Sequence, residues 1–223
     1  MNKTKISITS AAFLYAICMS LGLLVLMFFI PDLHIDNAIR LQAIHEYGIF
    51  MLLWYFVVWI LPGICVIVLT YSLFKLSVQQ HGRYENAIML MSFAAASYFF
   101  SIGIIEITSA YKALINQQEN LSEVESLYID LSVLLRKIRR STEFANDIWL
   151  FMLSLWLFIY NSVSRFLSVF GMFVGVMGIL VLLPALAFLG LTFVFLSISW
   201  FALFGFAILK TKDLQISKPS LNK

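Results

Sequence analysis

The sequence predicts an all-α polytopic membrane helical bundle, with six transmembrane helices and one amphipathic surface helix. Three observations carry this. Apolar residues make up 61% of the 223-residue chain and charged residues only 12%, against about 45–50% and about 25% in an average soluble domain. The apolar residues gather into runs, and a spanning helix needs about 20 of them in a row. One polar stretch between the runs carries a two-faced helical pattern. This composition excludes a soluble globular domain, which would turn large apolar patches to water. It also excludes disorder, which requires low hydrophobicity.

The first run, residues 6–30, follows Lys3 and Lys5. It is longer than a secretory apolar core of about 7–15 residues and no small-x-small cleavage pattern precedes Pro31, so it reads as an uncleaved first span. The second run, 48–74, holds Pro62-Gly63 near its middle. Proline removes a backbone hydrogen bond, and a kink is expected there. The third run, 87–110, is rich in small residues (Ala94, Ala95, Ala96, Ser97, Gly103) and is expected to pack centrally. It also carries one acid, Glu106.

Residues 112–147 are polar but patterned. Ser122 and Glu125 have capping-box spacing. Val124, Leu127, Tyr128, Leu131, Leu134, Leu135 and Ile138 then recur every three or four residues. Acids come early and bases late, which suits the helix macrodipole. An amphipathic helix is predicted over 123–140. The fourth run, 148–163, is short and follows Asn146-Asp147, with Asp147 as cap or first-turn acid. A tight turn over Asn161–Arg165 leads to the fifth run, 166–188, which contains Gly171, Gly175, Gly178 and Pro184. The sixth run, 191–209, ends in Lys210 and Lys212. One membrane domain over 1–210 is thus followed by a polar tail, 211–223.

Charge sets the orientation. With six spans and the N-terminus inside, the inside segments hold nine Lys and Arg and the outside segments six. The positive-inside rule then favours both termini in the cytoplasm. The cluster Arg136, Lys137, Arg139, Arg140 argues the other way. If the short fourth run did not cross, the C-terminus would lie outside. Cys18 and Cys65 sit within apolar runs and read as small hydrophobes.

Asp147-Ile-Trp-Leu through Tyr160, the turn Ser164-Arg165-Phe166-Leu167, Gly171, Gly175 and Gly178, Leu183-Pro184, and Ile198-Ser-Trp200 through Leu209 together resemble a group of small bacterial six-helix membrane proteins of unknown function. The resemblance covers residues 147–209. It implies a six-helix bundle in a bacterial inner membrane and transfers no activity and no site residue.

Several residues are candidates for chemistry. Glu106 is an acid within a span, which is costly and is by default a functional hypothesis. A place at headgroup level near Lys112 competes with that reading. His45, Glu46, Glu106 and Asp147 would share the outer side in the six-span arrangement and could bind a cation or relay protons, although ordinary solvation at helix ends produces the same pattern. Gly171, Gly175 and Gly178 form a helix-packing face, expected to be used within the chain. Pro62, Gly63 and Pro184 are expected helix kinks. Arg136, Lys137, Arg139 and Arg140 would bind anionic lipid or a partner.

No Ser/His/Asp set, phosphate-binding glycine loop or Cys-x-x-Cys pair is present. The expectation is therefore not an enzyme, with no cofactor and no metal. The leading reading is a non-enzymatic membrane subunit or scaffold, in contact with membrane lipid and with a protein partner or further copies of itself, and without nucleic acid. The alternative is a small ion or solute transporter or channel with Glu106 as its key acid. An intramembrane enzyme using His45, Glu46 and Asp147 comes third.

Overall fold

The computed structural model describes residues 3–29, 37–76, 82–115 and 144–211, and among the described residues every regular element is helical. The 123–140 helix with Arg136, Lys137, Arg139 and Arg140, and the tail over 212–223, lie outside the described residues.

Helix α1 (Lys3–Leu24) runs on through a π-helical turn at Val25–Phe29. A helix between the first two apolar runs follows: α2 (Asn37–Tyr47). It folds because Ala43 and Ile44 share one face that becomes fully covered. Gly48 then turns the chain with a φ of 49°, which glycine adopts without steric cost.

The next rod is built from α3 (Ile49–Tyr55), a π-helical turn (Phe56–Ile60) and α4 (Leu61–Leu76). The widened turn lies immediately before Pro62. Proline has no N–H to offer and its ring clashes with the carbonyl four residues back. The turn absorbs this by an i−5 bond from the Leu61 N–H to the Phe56 carbonyl. Helix α5 (Arg83–Ile115) is the longest element, at 33 residues.

Two shorter helices come next. Helix α6 (Phe144–Ile159) has 16 residues and α7 (Arg165–Val181) has 17. The turn between them places Asn161 at a φ of 48°, and the Ser164 hydroxyl caps α7 by accepting from the Leu167 N–H at 3.3 Å. A 3-10 turn (Pro184–Leu189) leads into α8 (Gly190–Lys210). Pro184 therefore does not kink a span that runs to residue 188: the helix has already ended at Val181, and Leu183 is extended. The residue before a proline is pushed out of the α region.

Among the described residues, four rods are long and apolar enough to cross a membrane: Lys3–Phe29, Ile49–Leu76, Arg83–Ile115 and Pro184–Lys210. Helices α6 and α7 are apolar but shorter, at about 24 and 26 Å by the 1.5 Å rise per residue.

Neighbouring rods run antiparallel. Lys5 Nζ donates to the Leu209 carbonyl at 2.9 Å and also to that of Thr211. The Ser7 and Ser72 hydroxyls bond at 3.0 Å, and the Tyr84 hydroxyl donates to the Met152 carbonyl at 3.0 Å. The start of α1, the end of α4, the start of α5 and the end of α8 thus share one end of the bundle. The main core is aromatic, with Tyr15, Trp149, Trp156, Trp200, Phe201 and Phe204 all buried. A smaller core at the other end joins Ile44, Met51 and Tyr55 to Ala110 and Ala113. Cys18 and Cys65 are free and buried.

Candidate functional site

The glycines of α7 decide where the most buried acid among the described residues sits. A Cβ on Gly171 would lie 2.2 Å from Ser154 Oγ, one on Gly175 would lie 2.8 Å from the Asp147 carbonyl, and one on Gly178 would lie 2.3 Å from Asp147 Cγ. The register is antiparallel, and the missing side chains let α7 lie directly on α6, as small residues do between membrane helices. The Gly171, Gly175, Gly178 face is thus filled by α6 and, at Gly171, by the Trp200 indole of α8.

Asp147 stands in the first turn of α6, where the macrodipole favours an acid. It is 1% exposed. Its neighbour Asn146 is 8% exposed and donates from Nδ2 toward Asp147 Oδ1 at 3.5 Å. Asn146 Oδ1 is buried and accepts no hydrogen bond. From the opposite side the Tyr15 hydroxyl comes within hydrogen-bonding reach of Asn146 and of Ser197 on α8. Four helices, α1, α6, α7 and α8, therefore converge on one buried polar cluster.

Its position along the bundle follows from helix rise. Tyr15 lies ten residues past Lys5, about 15 Å from the end where α1 starts and α8 finishes. At that end Glu85 accepts from the Trp156 indole at 3.1 Å and from the Tyr160 hydroxyl at 2.9 Å. Asp147 lies nine residues back along α6 from Trp156, again about 14 Å away. The Lys3–Phe29 rod is 27 residues long, about 40 Å. Asp147 is therefore close to halfway.

The sequence-derived quartet does not assemble. Glu106 is 4% exposed and forms an ion pair with Arg40 of α2. It lies 21 residues past Glu85 on α5, so roughly 17 Å further along the bundle than Asp147. His45 and Glu46 flank Ile44 on α2, next to the Ala110–Ala113 end of α5. His45 is half-buried and Glu46 exposed. Glu46 hydrogen-bonds the Tyr47 phenol, which pushes the Tyr47 pKa up. Pro62 and Gly63 lie inside the second rod, with Gly63 closely faced by the Phe100 ring.

Sequence reasoning missed Tyr15, Asn146 and Ser197 as site residues, and Arg40 and Glu85 as buried-charge partners. One signal existed. A tyrosine amid an apolar run carries a hydroxyl that needs a partner once buried. Nothing local marks Ser197 or Arg40.

The cluster presents a carboxylate, an amide oxygen and two hydroxyls in a desolvated setting. Charge is expensive there unless compensated. Such a set can hold a proton or a hard cation. Among the described residues no group of three or more His, Cys, Asp or Glu forms a metal site. Two residues past Asp147 on α6, the buried Trp149 indole donates to the Thr70 hydroxyl of α4 at 2.9 Å. In comparisons with known proteins, no family model, no curated protein and no solved structure matches the chain.

Proposed function

We propose that the chain is a membrane transport protein for an ion or small solute, with Asp147 as its central acid. The observation that carries this reading is the burial of Asp147 about halfway along the long rods, where four helices meet. An acid at that depth in a bilayer is costly and marks an ion or substrate pathway by default. Transport sites lie near the midplane, at helices that do not run the full width, and α6 begins there.

In this reading α6 and α7 complete six crossings in a bacterial inner membrane, with the bilayer locally thinned around them. Both termini face the cytoplasm. Among the described residues, Lys3, Lys5, Lys75, Arg83, Arg165 and Lys210 belong to the end where α1 starts and α8 finishes, and only Arg40 and Lys112 to the other. The basic end is the cytoplasmic one under the positive-inside rule.

The role that the sequence alternative gave to Glu106 passes to Asp147, because Glu106 lies roughly 17 Å further along the bundle, away from its middle. The partner-dependent subunit draws support from the Pro184–Lys210 rod, whose most apolar stretch is only 17% buried. Lipid covers such a surface equally well, so this reading stands second.

Proteoliposomes loaded with ion-sensitive dyes test the proposal. Wild-type protein is expected to pass protons or alkali cations down an imposed gradient. Asp147→Asn is expected to lose the flux at least tenfold, and Glu106→Gln to retain most of it. Wild-type liposomes as tight as empty ones, or full flux through Asp147→Asn, would overturn it.

A further inference from the structure

We infer that the end of the bundle where α1 starts and α8 finishes binds an anionic phospholipid, with Lys3, Lys75 and Lys210 on its phosphate and neighbouring apolar side chains on its hydrocarbon. The inference stands apart from the transport reading and needs only a chain that sits in a bilayer. The first observation is uncompensated charge. Lys3, Lys75, Arg83, Arg165 and Lys210 are exposed at this end, and none of them forms an ion pair. The one acid there among the described residues is Glu85, which is buried against the Trp156 indole and the Tyr160 hydroxyl. At the opposite end, by contrast, Arg40 is paired with Glu106. The chain beyond Thr211 adds Lys212, Lys218 and Lys223 against Asp213 alone, so its net charge has the same sign.

The second observation is that packing holds these cations together. The ammonium of buried Lys5 donates to the Leu209 and Thr211 carbonyls. A lysine at the last carbonyls of a helix suits the macrodipole, and the contact sets Lys210, which lies between them, beside the start of α1. The Ser7–Ser72 bond fixes the other side. Lys3 is four residues before Ser7 and Lys75 three residues after Ser72, spacings that share a helix face. Because α1 and α4 are antiparallel, both lysines lie one turn beyond that bond, at the seam between the two helices. The third observation is what lies one turn further in: Ile6, Tyr71 and Phe206, all exposed. Cations above bare apolar side chains match a phosphate ester above acyl chains. A free phosphate would use only the cations. A zwitterionic lipid brings its own cation, which repels lysine. A lipid of net negative charge satisfies both halves, as basic residues at a bilayer surface do with anionic headgroups.

The test uses the purified full-length protein, reconstituted in vesicles of equal phosphatidylglycerol and phosphatidylcholine and then re-extracted in mild detergent. The lipid that stays with the protein after size exclusion is counted by mass spectrometry. The wild type is expected to retain phosphatidylglycerol over phosphatidylcholine by about fivefold or more, the fold-change that one lysine near an anionic surface gives. The combined variant Lys3→Gln, Lys75→Gln, Lys210→Gln is expected to bring the ratio close to one. These three side chains are exposed and make no hydrogen bond, so the fold does not depend on them. Arg83→Gln with Arg165→Gln removes charge from the same end but from other helices, and is expected to keep most of the enrichment. Millimolar inorganic phosphate at constant ionic strength is expected to displace no lipid.

Equal retention of the two lipids by the wild type would overturn the inference without any variant having to fold. So would undiminished enrichment in the lysine variant. Enrichment lost as fully in the arginine variant would overturn it too, because net charge alone would then be acting. Displacement by inorganic phosphate would replace the lipid by a free anion. The two proposals fail separately. Flux in liposomes without lipid selectivity keeps transport and removes the lipid site, and lipid selectivity without flux does the reverse.

Discussion

The Asp147 carboxyl group lies where the first carbon of any side chain at Gly178 would have to be, 2.3 Å from Asp147 Cγ. Gly178→Ala must therefore move the carboxylate or part α6 from α7. Overpacking of this kind costs about 1–3 kcal/mol. Gly178→Ala is expected to lower the unfolding midpoint in detergent. Gly190→Ala is the control, because a Cβ there would meet nothing closer than Val181 at 3.7 Å, and no loss is expected.

The Arg40–Glu106 pair clamps α2 to α5 with the carboxylate almost fully buried. Removing one partner of a buried pair costs about 3–5 kcal/mol, because the remaining charge stays desolvated. Arg40→Ala is expected to approach that loss. Adding Glu106→Gln to it is expected to restore much of the stability. A double-mutant cycle by denaturant unfolding measures the coupling, and additive losses would show that the pair contributes nothing as a pair.

Glu85 is the anchor of the opposite end. It accepts from both Trp156 and Tyr160, and hydrogen bonds to a charged group contribute about 1.5–3 kcal/mol each. Glu85→Ala is expected to destabilise by several kcal/mol and to change Trp156 emission. Glu85→Gln retains an acceptor and is expected to lose about half as much.

Orientation is checked by labelling single cysteines in sealed inverted and right-side-out vesicles. Lys3 and Lys210 are exposed at one end of the bundle, and Gln42 is exposed on α2 at the other. Lys3→Cys and Lys210→Cys are expected to react from the cytoplasmic side and Gln42→Cys from the opposite side. Cys18 and Cys65 are buried and are expected to stay silent. Reaction of Lys3→Cys and Lys210→Cys from opposite sides would refute the shared end.

Much of the architecture was legible because apolar run length depends on composition alone. The runs at 6–30, 48–74, 87–110 and 191–209 coincide closely with the four long rods. The run at 166–188 was read too long because apolar residues continue past Val181, while Pro184 ends the helix by backbone sterics that hydropathy does not register. The α2 helix was missed because its apolar face is only a few residues wide and becomes apolar surroundings only once α5 lies beside it.

The site was legible in part. Asp147 and the three glycines stood out locally, as a polar residue at the edge of an apolar run and as a repeated spacing. That Gly178 faces Asp147 was not legible, because it depends on the antiparallel register of two helices joined by a turn. Placing Glu106 and Asp147 on one side failed for a related reason. Position along a chain does not report depth in a bundle when α6 starts halfway along its neighbours.

The amino-acid sequence by itself determined that this chain is helical, apolar and organised as membrane-length rods, because these follow from the amount and periodicity of apolar side chains. Only the tertiary structure decided which charges are buried and with whom: Glu106 with Arg40, Glu85 with Trp156 and Tyr160, and Asp147 among Asn146, Tyr15, Ser197 and Gly178. Burial of a charge is a property of neighbours brought together from distant parts of the chain, and helix register and relative depth select those neighbours.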